Sequence, residues 1–145
     1  MNKDVLHSAI GLLSRREHST KELTQKLSKK AYSSDDIKQV INFLLDEDYL
    51  SNIRFAESVI RNKVSRGYGW NAIRQELMLK GVNSDIYTSV LDELNVDWYT
   101  QAEQAYRKRF GETPIEDQKD KAKRLRFLQY RGFSMDECLT ALNAN

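Results

Sequence analysis

Hydrophobic positions recur along this chain with a helical period from one end almost to the other. The pattern is sharpest in the stretch 52–81, NIRFAESVIRNKVSRGYGWNAIRQELMLKG. Its first half sets Phe55, Ala56, Val59, Ile60 and Val64 on one face and Arg54, Glu57 and Arg61 on the other, with Glu57 and Arg61 at the favourable i,i+4 spacing. Gly67 and Gly69 interrupt the period around Tyr68. A second helix then carries Trp70, Ile73 and Leu77 inward, and Gly81 stands where a left-handed C-cap belongs.

The same pattern returns elsewhere. A shift of 50 residues lays Ile10 on Ile60, Arg16 on Arg66, His18 on Tyr68, Leu23 on Ile73 and Leu27 on Leu77, and a further shift of 51 lays Leu77 on Leu128, Gly81 on Gly132 and Asp85 on Asp136. The chain therefore divides into three repeats, expected at 1–50, 51–95 and 96–145, each of three helices. In the first, a helix from about Asp4 to Arg15 is followed by a Ser19/Glu22 capping box and then by a helix that Ser33 or Ser34 caps. In the third, the series Thr113, Pro114 and Glu116 reads as N-cap, first-position proline and capping-box acid for a helix carrying Ala122, Leu125 and Leu128; Ser134 with Glu137 opens the last helix, with Cys138, Leu139 and Leu142 inward. Alternating β-branched runs are missing, so the expected fold is all-α: three tandem three-helix repeats stacked into an elongated, curved array.

Charge sharpens the repeat. Basic blocks at 1–31, 61–81 and 105–133 alternate with acidic blocks at 32–60, 82–104 and 134–145, so that a net charge of only +2 conceals three positive and three negative flanks. Such flanks steer a polyanion or an acidic protein surface to one side, or are simply solvated. The one cysteine, Cys138, has neither a second Cys nor a nearby His and reads as a small core residue. No stretch approaches the ~20 apolar residues that span a bilayer, and the N-terminus lacks a cleavage-type end; a cytoplasmic, membrane-free monomer is expected.

The residues argue against catalysis. His7 and His18 are not at metal-ligand spacing, no Gly-rich phosphate loop is present, and no cofactor or metal is expected. The short turns between second and third helices suggest helix-turn-helix DNA readers. The third helices, however, open with Asp35 and Asp36, with Asp85, and with Asp136 and Glu137, which a major groove would repel. Contact with nucleic acid would fall to the first two helices of each repeat and would read phosphate rather than sequence.

The segments RFAESVIR, SRGYGW, AIRQEL and KGV, with LLSRREHSTKEL earlier and RFLQYRGFS later, resemble the RecX family of bacterial regulators of the RecA recombinase. This resemblance spans nearly the whole chain. It implies a regulator that lodges in the groove of the RecA filament on DNA and restrains its recombinase, ATPase and coprotease activities, as part of DNA repair and the SOS response. The partners implied are the RecA filament and, weakly and without sequence preference, single- or double-stranded DNA. The residues expected at that interface are Arg16, Arg54, Glu57, Arg61, Arg66, Tyr68 and Arg74, joined by Lys119, Lys123 and Arg126 from the third basic block. Tyr68, in the place that His18 holds in the first repeat, reads first as a cover for the helix junction and second as a partner contact. The alternative is a stand-alone, non-specific DNA-binding protein that uses the same basic flank. One departure from the pattern is Ala31, in the place that Gly81 holds in the next repeat: alanine is strained in a left-handed conformation that glycine tolerates.

Overall fold

The computed structural model describes residues 1–143. Among these it contains nine α-helices and no strand: α1 (Lys3–Leu13), α2 (Thr20–Ser28), α3 (Ser34–Asp46), α4 (Asn52–Ser65), α5 (Trp70–Leu79), α6 (Ser84–Leu94), α7 (Trp98–Phe110), α8 (Gln118–Tyr130) and α9 (Met135–Asn143). α1, α2 and α3 pack on one another, and so do α7, α8 and α9.

Local chemistry sets most of the boundaries. Asn2, Ser19, Ser33, Asp97 and Asp117 each sit in extended backbone and accept from N–H groups one turn ahead, filling donors that a helix start leaves orphaned. Ser134 and Glu137 form a reciprocal box: the Ser134 Oγ accepts from the Glu137 N–H at 3.2 Å, and the Glu137 carboxylate accepts from the Ser134 N–H at 2.9 Å. Gly81 and Gly132 end their helices at φ +79° and +102°, and Ala31 holds the equivalent left-handed position at φ 62° despite its Cβ.

Two compact units emerge. The first takes in residues 1–58 and 77–90, with a core of Val5, Ala9, Leu23, Leu27, Ile37, Val40, Ile41, Leu44 and Leu50; the second takes in 59–76 and the chain from Leu91 on, with Ala102, Tyr106, Leu128, Phe133, Cys138 and Leu142 inside. The middle three helices are thus divided between the two. Cys138 is fully buried, and burial foremost, with the Glu137 charge, pushes its thiol up to about 11, consistent with a core residue and not a nucleophile.

Two expectations need correction. The first helix ends at Leu13 rather than near Arg15. The segment Thr113–Glu116 does not begin a helix; Asp117 is the N-cap of α8, four residues beyond Thr113. Arg124 is the cause. It is 4% exposed, donates to the carbonyls of Thr113 (2.7 Å) and Pro114 (3.2 Å) and to the Tyr106 hydroxyl (2.8 Å), and pairs with Asp120 at 3.0 Å. Those carbonyls are held by a buried guanidinium, while Asp120 also accepts from the Glu116 N–H at 3.1 Å, and the helix starts after this knot.

Candidate functional site

In the first unit the charged residues converge on the turn between α1 and α2. Glu22, in the first turn of α2, is 6% exposed and takes a two-pronged bond from Arg16, at 2.6 and 3.0 Å, and a third from Lys80 at 3.3 Å. Burial alone would raise the Glu22 carboxyl. The hydrogen bonds and charge of Arg16, with those of Lys80, override it and hold the group at about 2. Its neighbour Glu17 accepts from the Arg54 Nε at 3.0 Å, and Arg54 also pairs with Asp48 at 3.1 Å. His18 is 1% exposed. The Lys26 ammonium, which has only donors, lies 2.9 Å from its Nε2, so that nitrogen accepts; the ring proton is then on Nδ1, 3.1 Å from the Arg16 carbonyl. Burial foremost lowers the His18 pKa, and the Arg16 and Lys26 charges lower it further, so the neutral ring is the form that fits.

In the second unit the equivalent turn, around Tyr68, is built from backbone. The Gly69 N–H donates to the Arg131 carbonyl at 2.8 Å and the Asn71 N–H to the Gly132 carbonyl at 3.0 Å. A Cβ on Gly69 would stand 2.5 Å from the Gly132 carbonyl carbon, so only glycine allows this approach. Gln101 donates to the Val64 carbonyl at 2.6 Å and Arg131 to the Arg66 carbonyl at 3.0 Å, satisfying the open end of α4. The half-buried Tyr68 ring meets Lys63 at 4.6 Å, Arg131 at 5.0 Å and Arg66 at 5.7 Å. Beside this turn lies a cleft of about 350 Å³ between the ends of α4, α7 and α8.

The expected interface residues are thus distributed unevenly. Arg16 and Arg54 meet at Glu17, since Arg16 also donates to the Glu17 carbonyl at 2.9 Å, and both serve internal ion pairs; Glu57 is half-buried on α4. Arg61, Arg66 and Arg74 are exposed, Arg74 turning to Asn71 at 3.4 Å. Lys119, Lys123 and Arg126 come together along an exposed hollow on α8. Sequence reasoning did not single out Lys108 and Arg109, which line the cleft, or the bonds of Lys80 and Lys26. The only signal for the first two was their place in the third basic block.

Three family models match consecutive parts of the chain: the RecX first three-helix domain over 6–44, the second over 53–91 and the third over 95–142. The chain belongs to the RecX family. Among its relatives, the regulatory protein RecX of Vibrio campbellii (strain ATCC BAA-1116) is 46% identical over 136 residues, covering 94% of this chain and 88% of that one. The RecX of Vibrio vulnificus (strain CMCP6) is 43% identical over 94% and 89%, and that of Halorhodospira halophila (strain DSM 244 / SL1) 37% over 97% and 87%. The crystal structure of RecX from Lactobacillus salivarius superposes with a TM-score of 0.80 at 24% identity, covering 98% of this chain and 94% of that one, which establishes the RecX fold here. Family members carry the description of regulatory protein. Among the described residues, no helix is long and apolar enough to cross a membrane, and no group of His, Cys, Asp and Glu is placed to hold a metal ion.

Proposed function

We propose that this chain is a non-enzymatic regulator of a RecA-type recombinase, binding the groove of the recombinase filament on DNA and restraining its ATPase, recombinase and coprotease activities. The observation that carries the reading is the ordered match to all three RecX domains across residues 6–142. Charge supports it as well: Arg61, Arg66, Arg74, Lys119, Lys123 and Arg126 all reach solvent, as contacts to an acidic protein surface or to phosphate require, while the acidic first turns of α3, α6 and α9 disfavour base reading in a major groove. Arg16 and Arg54 contribute through the shape they hold at the first turn and Tyr68 through that of the second, with Glu57 on the same helix as Arg54.

The test is the DNA-dependent ATPase of RecA with the purified chain titrated in below stoichiometry. Inhibition at a small fraction of one chain per recombinase supports regulation of the filament. Inhibition that appears only when the chain is in excess over DNA sites, and vanishes when more DNA is added, supports the stand-alone DNA-binding alternative instead, for which the exposed cations on α8 speak.

A further inference from the structure

The cleft of the second unit is lined by Arg66, Lys108, Arg109 and Arg131, with Phe127 as an apolar wall and Gln104 at its side. None of these four cations forms an ion pair with a described residue, although Arg107, next in sequence to Lys108, is paired with Glu103 at 3.0 Å. Helix ends explain only part of this. The C-termini of α4, α7 and α8 each carry roughly half a negative charge, together about −1.5 against four positive charges, so more than half of the cationic charge is not balanced by these helix ends. Like charges gathered around one recess repel one another in the free protein and attract an anion.

Aromatic surface completes the site. Arg131 lies 5.0 Å from the rings of both Tyr68 and Phe127, so the guanidinium is oriented by the protein before any ligand arrives. Tyr130, three residues after Phe127 on α8, is 92% exposed and covers nothing. At helical spacing behind it come Arg126, Lys123 and Lys119, all exposed, so a row of cations leads along α8 to a bare ring that stands between the cleft-lining Phe127 and Arg131 in sequence.

We propose that this cleft seats a phosphodiester of single-stranded nucleic acid and that Tyr130 stacks on an adjacent base. A phosphate and a π face on every unit match a cationic recess beside an exposed ring. In a duplex the base faces are already covered by their neighbours and do not reach Tyr130. An acidic peptide would satisfy the cations but has no use for the ring. The proposal deepens the nucleic-acid half of the function above, and rests on it only in that the chain works on DNA.

The test uses the full chain and a labelled 12-nucleotide oligothymidylate, read by fluorescence anisotropy across a salt series. Lys108→Glu with Arg109→Glu should weaken binding at least tenfold and flatten the salt dependence by about 1.4, two phosphate contacts at ~0.7 each. Tyr130→Ala should weaken it roughly tenfold with the salt slope unchanged. Lys29→Glu with Lys38→Glu, the same charge change in the first unit, should weaken it less than threefold. Arg109 packs on Phe110 and Phe127, so Lys108→Glu alone, with a wild-type thermal melt, guards against a folding defect. Equal losses from both charge-reversal pairs, no loss from Tyr130→Ala, or displacement of the oligonucleotide by an equimolar acidic peptide would each overturn the site. Failure of the wild-type chain to inhibit the recombinase ATPase, with oligonucleotide binding as described, overturns the regulatory reading and leaves this site standing.

Discussion

The turn of residues 14–19 and the turn of residues 65–69 hold the same place in the repeat, fifty positions apart, yet they are closed by opposite means. In the first, side chains do the work: Arg16 and Lys80 converge on buried Glu22, Lys26 on neutral His18, and Arg54 on Glu17. In the second, backbone meets backbone through Gly69 and Gly132, and the Tyr68 ring collects cations on its face. The consequence lies in what is left over. The first turn commits Arg16, with Arg54 beside it, to internal carboxylates, whereas the second has a single longer pair across it, Lys63 with Glu76 at 3.6 Å, and leaves Arg66 turned toward a cleft. The two copies of the turn thus keep their place in the repeat while engaging their charged side chains differently.

The comparison breaks most severely at the glycine contact. Gly132 has φ +102°, and a Cβ there would stand 2.5 Å from the Ala72 nitrogen and 2.6 Å from the Ala72 Cβ, neither of which can swing away. Gly132→Val is expected to cost about 2–4 kcal/mol through overpacking and backbone strain together. Gly81 has a similar φ of +79°, and a Cβ there would stand 2.8 Å from the Lys21 Cβ and Cδ, of which the Cδ can swing away while the Cβ must shift with its helix; Gly81→Val should cost somewhat less than Gly132→Val, about 1–3 kcal/mol. Urea midpoints decide the matter, and equal losses would mean that the backbone contact contributes nothing beyond the dihedral strain.

Next in size is the ion network. Glu22→Gln removes the anion shared by Arg16 and Lys80 and should cost about 1–2 kcal/mol, less than a fully dry pair because Arg16 is half exposed. Below neutral pH the dependence of this network follows from Glu22 and His18. Glu22 is depressed, so its contribution is complete above its ordinary value of 4.5 and is lost as pH falls toward about 2. His18 is depressed as well, which for a base means that the unfolded chain takes up a proton first: its contribution is complete above 6.5 and shrinks as pH drops below that value. Stability measured from pH 7 down to pH 5 should therefore decline in the wild type and decline less in His18→Gln. Parallel slopes would show that His18 takes up its proton as readily in the folded chain as in the unfolded one.

The smallest effect belongs to Ala31. Its φ of 62° carries a Cβ penalty that glycine avoids, offset in part by the greater freedom of glycine in the unfolded chain. Ala31→Gly should stabilise by about 0.5 kcal/mol, visible as a small rise in melting temperature; a fall would mean that the alanine methyl has packing that outweighs its strain.

Much of the architecture was legible because its signals are local. Ser19, Ser33, Asp97 and the Ser134/Glu137 box announce helix starts within one turn, and Gly81 and Gly132 announce ends. The strain at Ala31 followed from laying one repeat on the next. The false start at Thr113 shows the limit: Thr, Pro and Glu stood in helical order, but the deciding contact came from Arg124, ten residues or more downstream and buried against Tyr106. Exposure was equally hidden. Arg54 and Arg61 lie on the same polar flank of one pattern, yet Glu17 and Asp48 reach Arg54, and nothing in the period of α4 reveals that. Lys108 and Arg109 look like ordinary dipole-matching cations at the end of α7 until the ends of α4 and α8 are placed beside them.

The buried thiol of Cys138 has a practical consequence. A reagent that attacks only thiolate meets a group that is both inaccessible and protonated at neutral pH, so modification requires the surrounding helices to open first. When closing outpaces chemistry, the labelling rate divided by that of an unstructured cysteine peptide is the opening equilibrium constant. Trp70 and Trp98, whose ring centroids are 6.0 Å apart, belong to the same unit, so intrinsic fluorescence reports on it too. Ellipticity at 222 nm, by contrast, sums over every helix. Coincidence of the three signals along a denaturant axis would mean a single cooperative transition, and any separation would show the two units unfolding independently, with no mutation added.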